Sequence, residues 1–471
     1  MTRTHVATRR ARPAQYRRRR PAAARVSTAP ARRGPVGGLL IRSLLWLGLI
    51  ASVVPWWLDT PAGALRDTAA VLTAAGRITG LAAGYLLLVQ LLLMSRLQTL
   101  EKFIGTELLA RWHRDVAAML LFAVLTHTAL IVVGYASLDQ LSLPDQVVSL
   151  WRNYEDLPSA FLAVGIMVGI SLMSIRAVRS RLPYELWYYL HLSAYAVLLL
   201  GYGHQFANGQ QFYRPGPART AWIALHLLVV AALIWGRVVQ PLRLNLRHRL
   251  EVADVVAENR DTISIYVVGR RLDELEVAGG QFFRWRFLAR GCWWQSHPFS
   301  LSAAGNGRWL RITVKVVGTH TADLRDLDPG TRVWLEGPAG TFTAAHRVRE
   351  RTLLIAGGSG IAPIRALVEE LPAGTATLIY RASGPQDVLL HQELDWLADE
   401  HGVDLWYVVG SRNDPGPRHV FSPQGLRELV PDVTNRDVYI CGPQGLVETS
   451  LRLLRRCGVP RRQIHVATFE L

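Results

Sequence analysis

The chain has 471 residues, half of them hydrophobic and only 19% charged. A soluble protein carries nearer a quarter charged residues, so composition excludes a wholly soluble chain, and the length allows two or three domains. Much of the net charge of +17 sits in the first 36 residues, an Arg-, Pro- and Ala-rich stretch without Asp or Glu that cannot bury a core.

Residues 1–37 are therefore expected to form a disordered cytoplasmic tail whose arginines suit anionic lipid headgroups. No motif or aromatic interleaving supports nucleic-acid binding. Six apolar runs follow, at about 38–58, 68–94, 107–135, 159–175, 184–206 and 219–240. Each is near the length that crosses a bilayer, which predicts a six-helix transmembrane domain over 38–240. The first run is long for a signal-peptide core and is expected to be retained rather than cleaved at Ala62-Gly63-Ala64. Basic residues follow the second run (Arg96, Lys102, Arg111, Arg114), the fourth (Arg176, Arg179, Arg181) and the sixth (Arg237, Arg243, Arg247, Arg249). The loop after the third carries Asp139, Asp145, Glu155 and Asp156 against Arg152 alone. The positive-inside rule then gives a multi-pass cell-membrane protein with both termini cytoplasmic.

Two runs carry paired histidines, His113 and His127 in the third and His191 and His204 in the fifth. Polar groups inside a membrane are costly and serve either function or helix-to-helix hydrogen bonding. Haem iron takes imidazole ligands, and two haems need two such pairs. The 14 residues from His113 to His127 make nearly four turns, so both share a face about 21 Å apart. Both runs point outward, which pairs His113 with His191 near the inner face and His127 with His204 near the outer, as axial ligands of two b-type haems. On a regular helix His204, 13 residues on, would turn away from the face of His191. Gly201 and Gly203 are expected to restore it through a π-bulge or unwinding. The intramembrane Arg77 needs a counter-charge, for which a haem propionate is the expected source. His226 has no partner at ladder spacing and is expected only to hydrogen-bond.

Beyond about 245 short alternating strands at 250–256, 262–268, 281–287, 310–317 and 332–336 predict a small antiparallel β-barrel over 245–345. Over 346–471, strands at 352–356, 376–380, 404–409 and 438–441 alternate with helices at 362–370 and 390–400, which implies an α/β Rossmann-like domain with a parallel sheet. Its first strand runs into Gly357-Gly358-Ser359-Gly360-Ile361-Ala362-Pro363. Gly357, Gly358 and Gly360, with Pro363 opening the helix, let backbone N–H groups approach a dinucleotide pyrophosphate. After the second strand, Arg381-Ala382-Ser383 offers no acid for a ribose 2′-hydroxyl. An Arg there suits a 2′-phosphate, which favours NADPH and leaves NADH open. Cys292, Cys441 and Cys457 form no C-x-x-C or C-x-x-C-H, against covalent haem, an iron–sulfur cluster or a zinc site.

The segment His297-Pro298-Phe299-Ser300-Leu301-Ser302 resembles the flavin-binding segment of the ferredoxin–NADP reductase superfamily. Together with the histidine pairs, Gly318-Thr319-His320-Thr321, Gly337-Pro338-Ala339-Gly340, the glycine turn and Cys441-Gly442-Pro443, residues 68–471 resemble its membrane branch, the ferric reductases and NADPH oxidases. The resemblance implies FAD, with Ser300 hydrogen-bonding the flavin ring and His297 beside the phosphates or ribityl chain. It implies that Lys315, Gly318, Thr319 and Thr321 help hold the pyrophosphate, that Cys441, Gly442 and Pro443 flank the nicotinamide, and that Phe469 covers the isoalloxazine. The turn at 318–321 departs from the family's commoner Gly-Asp-Trp-Thr, and no D-x-D-x-D-G calcium loop is present. The expected function is a transmembrane oxidoreductase that passes electrons from cytoplasmic NAD(P)H through FAD and two haems to an extracytoplasmic acceptor. Ferric chelates are the expected acceptor. Dioxygen, giving superoxide, and a separate extracytoplasmic redox protein are the alternatives.

Overall fold

The computed structural model describes residues 36–61 and 63–467; nearly all of the Arg-rich tail, and Phe469, lie outside them. The described residues fall into two compact units, within Pro35–Val238 and within Val239–Leu471.

The first unit is helical: α1 (Val36–Asp59), α2 (Thr68–Leu93), α3 (Gln98–Ile104), α4 (Thr106–Asp139), α5 (Leu143–Asn153), α6 (Leu157–Ser174), α7 (Arg176–Arg179), α8 (Tyr184–His191), α9 (Ala194–Leu200), α10 (Gly203–Ala207) and α11 (Pro217–Ile234). Asp67 caps α2 by accepting the Ala70 N–H at 2.8 Å, and Gly105, at φ 88°, separates α3 from α4. α11 continues through a π-helical turn, Trp235–Val239, into α12 (Gln240–His248). Among the described residues five helices are long and apolar enough to cross a membrane: Gly38–Asp59, Thr68–Leu93, Thr106–Asp139, Leu157–Ser174 and Pro217–His248.

The single helix expected over 184–206 is instead three pieces, α8, α9 and α10. At the breaks, N–H groups reach back three residues rather than four: Ser193 to Leu190 (3.1 Å), Tyr195 to Leu192 (3.1 Å), Ala196 to Ser193 (2.9 Å), Tyr202 to Leu199 (3.4 Å) and Gln205 to Tyr202 (3.3 Å). The Ser193 hydroxyl also donates to Leu190 O at 2.6 Å, a local bond that competes with the regular ladder.

α2 packs closely on α4 at Gly76 and Gly80 and on α11 at Gly84 because small residues line its seams, as membrane helices favour. Gly76, Gly80 and Gly84 recur every fourth residue on α2. A Cβ at Gly76 would lie 2.9 Å from Ile131, at Gly80 2.7 Å from the His127 ring, and at Gly84 2.9 Å from Trp222. α5, in the acidic loop, is capped by Ser142 and buries Gln146 and Leu150 on one face.

The second unit opens with β1 (Glu251–Asn259), β2 (Thr262–Val268), β3 (Phe282–Phe287), β4 (His297–Ser300), β5 (Leu310–Lys315), the short α13 (Thr319–Ala322) and β6 (Val333–Ala339). The expected antiparallel barrel is two three-stranded sheets, ordered β1-β2-β5 and β4-β3-β6. They meet through single bridges, Glu251 to Arg332 and Leu301 to Ile312. Strict alternation in β3 sends Phe283, Trp285 and Phe287 into the core between them.

The remainder alternates strand and helix: β7 (Thr352–Gly357), α14 (Ile361–Val368), β8 (Ala376–Ala382), α15 (His391–His401), β9 (Asp404–Val409), α16 (Pro415–Val420), α17 (Pro423–Leu429), β10 (Asp437–Cys441), α18 (Gln444–Arg456) and β11 (Ile464–Ala467). All five strands are parallel, in the order β11-β10-β7-β8-β9. β7 and β10 are buried along their whole length, as a sheet covered on both faces requires.

Candidate redox site

The four membrane histidines come together as two pairs. His113 and His191 have ring centres 6.0 Å apart, and His127 and His204 6.5 Å. One metal held by two imidazole nitrogens at about 2.0 Å each sets the ring centres roughly 6 Å apart. Both α4 histidines are oriented by carbonyls of α2: His113 Nδ1 lies 3.2 Å from Gln90 O and His127 Nδ1 2.7 Å from Gly76 O. Fourteen residues along α4 are thus matched by fourteen along α2, in antiparallel register. Donation from Nδ1–H leaves Nε2 with the lone pair, the arrangement that metal-binding histidines favour. The Gln90 amide also reaches His113 Nε2, at 3.2 Å, and a ligand at His113 would have to displace that amide. Across the pairs, His191 Nδ1 is buried without a hydrogen-bond partner among the described residues, unlike most buried polar atoms.

His204 reaches this position by overwinding, not by the π-bulge or unwinding expected at Gly201 and Gly203. Thirteen α-helical residues leave it about 140° from the face of His191. Each 3₁₀ step turns about 20° further, and the five three-residue bonds at the two breaks supply most of the difference. His127 and His204 border a cavity of about 130 Å³ with Gly80, Gly84 and Gly201 and otherwise mostly apolar walls. Among the described residues no three or more His, Cys, Asp or Glu side chains converge on a metal site. Each histidine pair offers two donors, so a metal there must bring its remaining ligands with it.

Arg77 sits one residue beyond Gly76 and hydrogen-bonds the neutral Gln210 side chain; among the described residues no carboxylate pairs with it. His226 is buried, its Nδ1 2.9 Å from Trp222 O in the same helix, with its ring against Tyr202 and Trp222.

In the second unit, the His297–Ser300 segment is strand β4, paired to β3 with Ser300 opposite Phe282 and His297 opposite Trp285. Trp285 Nε1 donates to Phe299 O at 2.9 Å, and His297 stacks on Phe299 across Pro298 at 5.6 Å. All four residues are half-buried, a ledge rather than a core. Lys315 ends β5, exposed. Beyond it the Thr321 hydroxyl accepts the Val317 and Gly318 N–H groups at 3.0 and 3.2 Å, which fixes the turn that opens α13 at Thr319.

The glycine turn and the Cys441-Gly442-Pro443 segment are neighbours because β7 and β10 are adjacent, with Cys441 opposite Ala356. The sheet grows from β7 to β8 and β9 on one side and to β10 and β11 on the other. The two loops therefore leave at the switch point where open α/β sheets bind ligands. A Cβ at Gly360 would lie 2.3 Å from Cys441 O, and one at Gly357 would strike Leu446 and Pro443. Gly358 has φ +54°, and its carbonyl accepts the Tyr380 hydroxyl at 3.1 Å. Burial pushes that hydroxyl up to about 12. Pro363 is buried in α14, and the Cys441 side chain is wholly enclosed in the core. At the end of β8, Ser383 is exposed, while the Arg381 guanidinium donates to Ala382 O, Val408 O (3.1 Å) and Gly410 O (2.5 Å). Burial lowers its pKa, with Asp414 opposing.

Sequence reasoning missed the polar contacts that join the flavin-like sheets to the nicotinamide-like lobe. Arg311 on β5 is 2% exposed and forms an ion pair with Glu393 on α15. Arg365 on α14 contacts Glu393 at 2.8 Å and Glu369 at 2.6 Å; these contacts lie off the N–H direction and are charge contacts rather than directed hydrogen bonds. Burial opposes the charge on Glu393, but Arg311 and Arg365 outweigh it and lower the pKa. No spacing motif marks such a set, because its members come from three separate elements.

Three family models match in succession: the ferric reductase like transmembrane component over residues 79–202, an FAD-binding domain over 247–342 and the oxidoreductase NAD-binding domain over 354–451. The probable dihydroorotate dehydrogenase B (NAD(+)) electron transfer subunit of Methanopyrus kandleri is 31% identical over 44% of this chain and 75% of its own length. The flavohemoprotein of Vibrio cholerae is 30% identical over 36% of this chain, which spans only 45% of that protein. Among solved structures, the FAD/NAD-binding domain of a Vibrio cholerae nitric oxide dioxygenase is 24% identical over 47% of this chain and 98% of that one, with a TM-score of 0.40. The chain belongs to the ferric reductase and NADPH oxidase architecture, a ferric reductase-like transmembrane region joined to FAD- and NAD-binding domains, and is a multi-pass membrane NAD(P)H-dependent oxidoreductase.

Proposed function

We propose that the chain carries electrons from cytoplasmic NADPH, through FAD and two b-type haems, to an extracytoplasmic acceptor, with ferric chelates the favoured acceptor. The observation that carries this reading is the spacing of the two imidazole pairs, 6.0 and 6.5 Å between ring centres. Each pair offers two donors, and a porphyrin brings the other four. His113 and His191 would hold the inner haem and His127 and His204 the outer, with Gln90 O and Gly76 O fixing the α4 rings. Bound haem supplies one-electron transfer at iron, and bound flavin accepts a hydride and releases electrons singly. Were each pair to hold its haem through both imidazoles, His113, His191, His127 and His204 would leave no position at iron for an acceptor to bind.

Arg77 is the proposed partner of an outer-haem propionate, since its side-chain partner among the described residues, Gln210, is neutral. The α8–α10 segment is the proposed sixth crossing, which puts both termini in the cytoplasm. The proposed limits are a tail at 1–37, a di-haem domain at 38–240, an FAD domain at 245–345 and a nicotinamide domain at 346–471. In the last two, Ser300 and His297 are assigned to the flavin, Lys315 and the 318–321 turn to its pyrophosphate, the glycine turn to the dinucleotide phosphates, and Arg381 and Ser383 to the 2′-phosphate.

The test is an anaerobic reduced-minus-oxidised spectrum of the detergent-extracted protein with NADPH. Flavin bleaching followed by a low-spin b-type signal supports the reading. Absence of porphyrin, or haem that NADPH cannot reduce, overturns it. Superoxide release measured beside ferrous-iron formation then decides the acceptor, and slow turnover with both points to a partner protein.

A further inference from the structure

Arg311 lies at the centre of a buried network. Its Nε donates to the Ser302 hydroxyl at 3.0 Å, one terminal nitrogen to Glu393 Oε1 (2.6 Å) and the Tyr266 hydroxyl (3.3 Å), the other to Ser302 O (2.9 Å) and Glu393 Oε2 (2.9 Å). A guanidinium has five N–H donors in a fixed fork, and all five are used. Two of the acceptors are on Ser302, two residues beyond Ser300. Two more are on Glu393, in the nicotinamide-binding lobe.

α14 is tied along its length in the same way. Its first residue follows the glycine turn, Arg365 meets Glu393, Glu369 accepts the Ala304 N–H at 2.7 Å, and Glu370 accepts the Gly279 N–H at 2.5 Å. Gly279 has no room for a side chain, since a Cβ would sit 2.3 Å from Ala366 O. Thus the Arg311 fork joins Ser302, just beyond the strand that ends in Ser300, to Glu393 on α15, and Arg365 extends the link from Glu393 to α14, the helix that begins at the dinucleotide turn.

We propose that Arg311, Glu393 and Arg365 are positioning residues for hydride transfer, setting the nicotinamide turn against the flavin-binding segment through a shared, half-buried carboxylate. In that step the C–H bond of the reduced nicotinamide breaks, hydride passes to the flavin ring, and oxidised nicotinamide leaves. A displacement near 1 Å at the reacting atoms lowers such a rate by about a hundredfold. Lysine, with three donors and no planar fork, cannot reproduce the five contacts to Ser302, Glu393 and Tyr266.

The test uses the full-length protein in detergent, as Glu393→Gln and Arg311→Lys. Anaerobic single-turnover flavin reduction is followed with NADPH and with its 4-deuterated form, and amide exchange is measured over 300–306 and 361–370. The expected result is a rate constant per bound flavin lowered between about tenfold and a hundredfold, little change in NADPH affinity, a larger deuterium effect and faster exchange at Ala304. Reduction of the flavin by dithionite should keep its rate. A structural role alone would reduce flavin content and leave the rate constant intact, and that outcome overturns the proposal. Glu393 is partly exposed, so Glu393→Gln decides the matter if Arg311→Lys fails to fold. A wild-type rate constant in Glu393→Gln refutes the proposal, whatever the haem content.

Discussion

Gly80→Ala probes the outer histidine pair by adding one methyl group. The new carbon would lie 2.7 Å from His127 Nδ1 and 2.8 Å from Cε1, against a comfortable separation of about 3.5–4.0 Å. The ring must withdraw by about 1 Å, which takes Nδ1 out of hydrogen-bonding range of Gly76 O, now 2.7 Å away. Overpacking costs about 1–3 kcal/mol and the lost bond about 1 more, while alanine repays about 1 through helix propensity. The matched control is Gly165→Ala on α6, where an added Cβ meets nothing within 4 Å. Haem-to-flavin ratio and the reduced spectrum of the purified variants provide the assay. Gly80→Ala should lose or perturb the outer haem and keep the inner one, while Gly165→Ala keeps both. Two unperturbed haem signals in Gly80→Ala would refute the claim that this glycine shapes the His127 seat.

His191→Ala should remove the inner haem signal and stop NADPH from reducing the outer haem, while flavin bleaching persists in a stopped-flow trace. Arg381→Gln should lower kcat/KM for NADPH about tenfold or more and for NADH little, a discrimination a charged 2′-phosphate contact produces; equal losses would assign Arg381 to bracing the ends of β8 and β9. Burial, reinforced by Glu369 and opposed by the Gly279 N–H, pushes the Glu370 carboxyl from 4.5 up to about 7. Between those values the native state keeps a proton that the unfolded state has released. The stability it contributes is therefore full below the lower pH and lost as pH rises through the upper one. Thermal unfolding of the full chain should show that decline, and Glu370→Gln should flatten it.

What the sequence discloses and what it conceals divide along physical lines. The strands expected at 262–268 and 404–409 are reproduced residue for residue, because short β-branched and aromatic runs bounded by turn residues mark a strand locally. The histidine pairs were legible for the same reason, since helical phase follows from spacing. The route by which His204 regains its face was not. Overwinding at Ser193 depends on a hydroxyl choosing the Leu190 carbonyl, a competition that hydropathy does not register. β4 was read as a motif and not as a strand, because His-Pro-Phe-Ser has no alternation and pairs only through β3. The Gly76, Gly80, Gly84 repeat is a sequence signal of close helix approach. The Arg311 network could not be read at all, since Arg311, Arg365 and Glu393 meet only after two sheets and two helices have formed.

The shared fourteen-residue step on α2 and α4 turns the pair into a ruler graduated in helical turns. A single inserted residue in either helix would rotate one imidazole seat by about 100° and forfeit its carbonyl, so the gap between the two seats cannot drift by small amounts. It can lengthen or shorten only by about a whole pitch, near 5.4 Å, and only if both helices change together. If the two seats hold haems as proposed, the distance between them is in that sense digital.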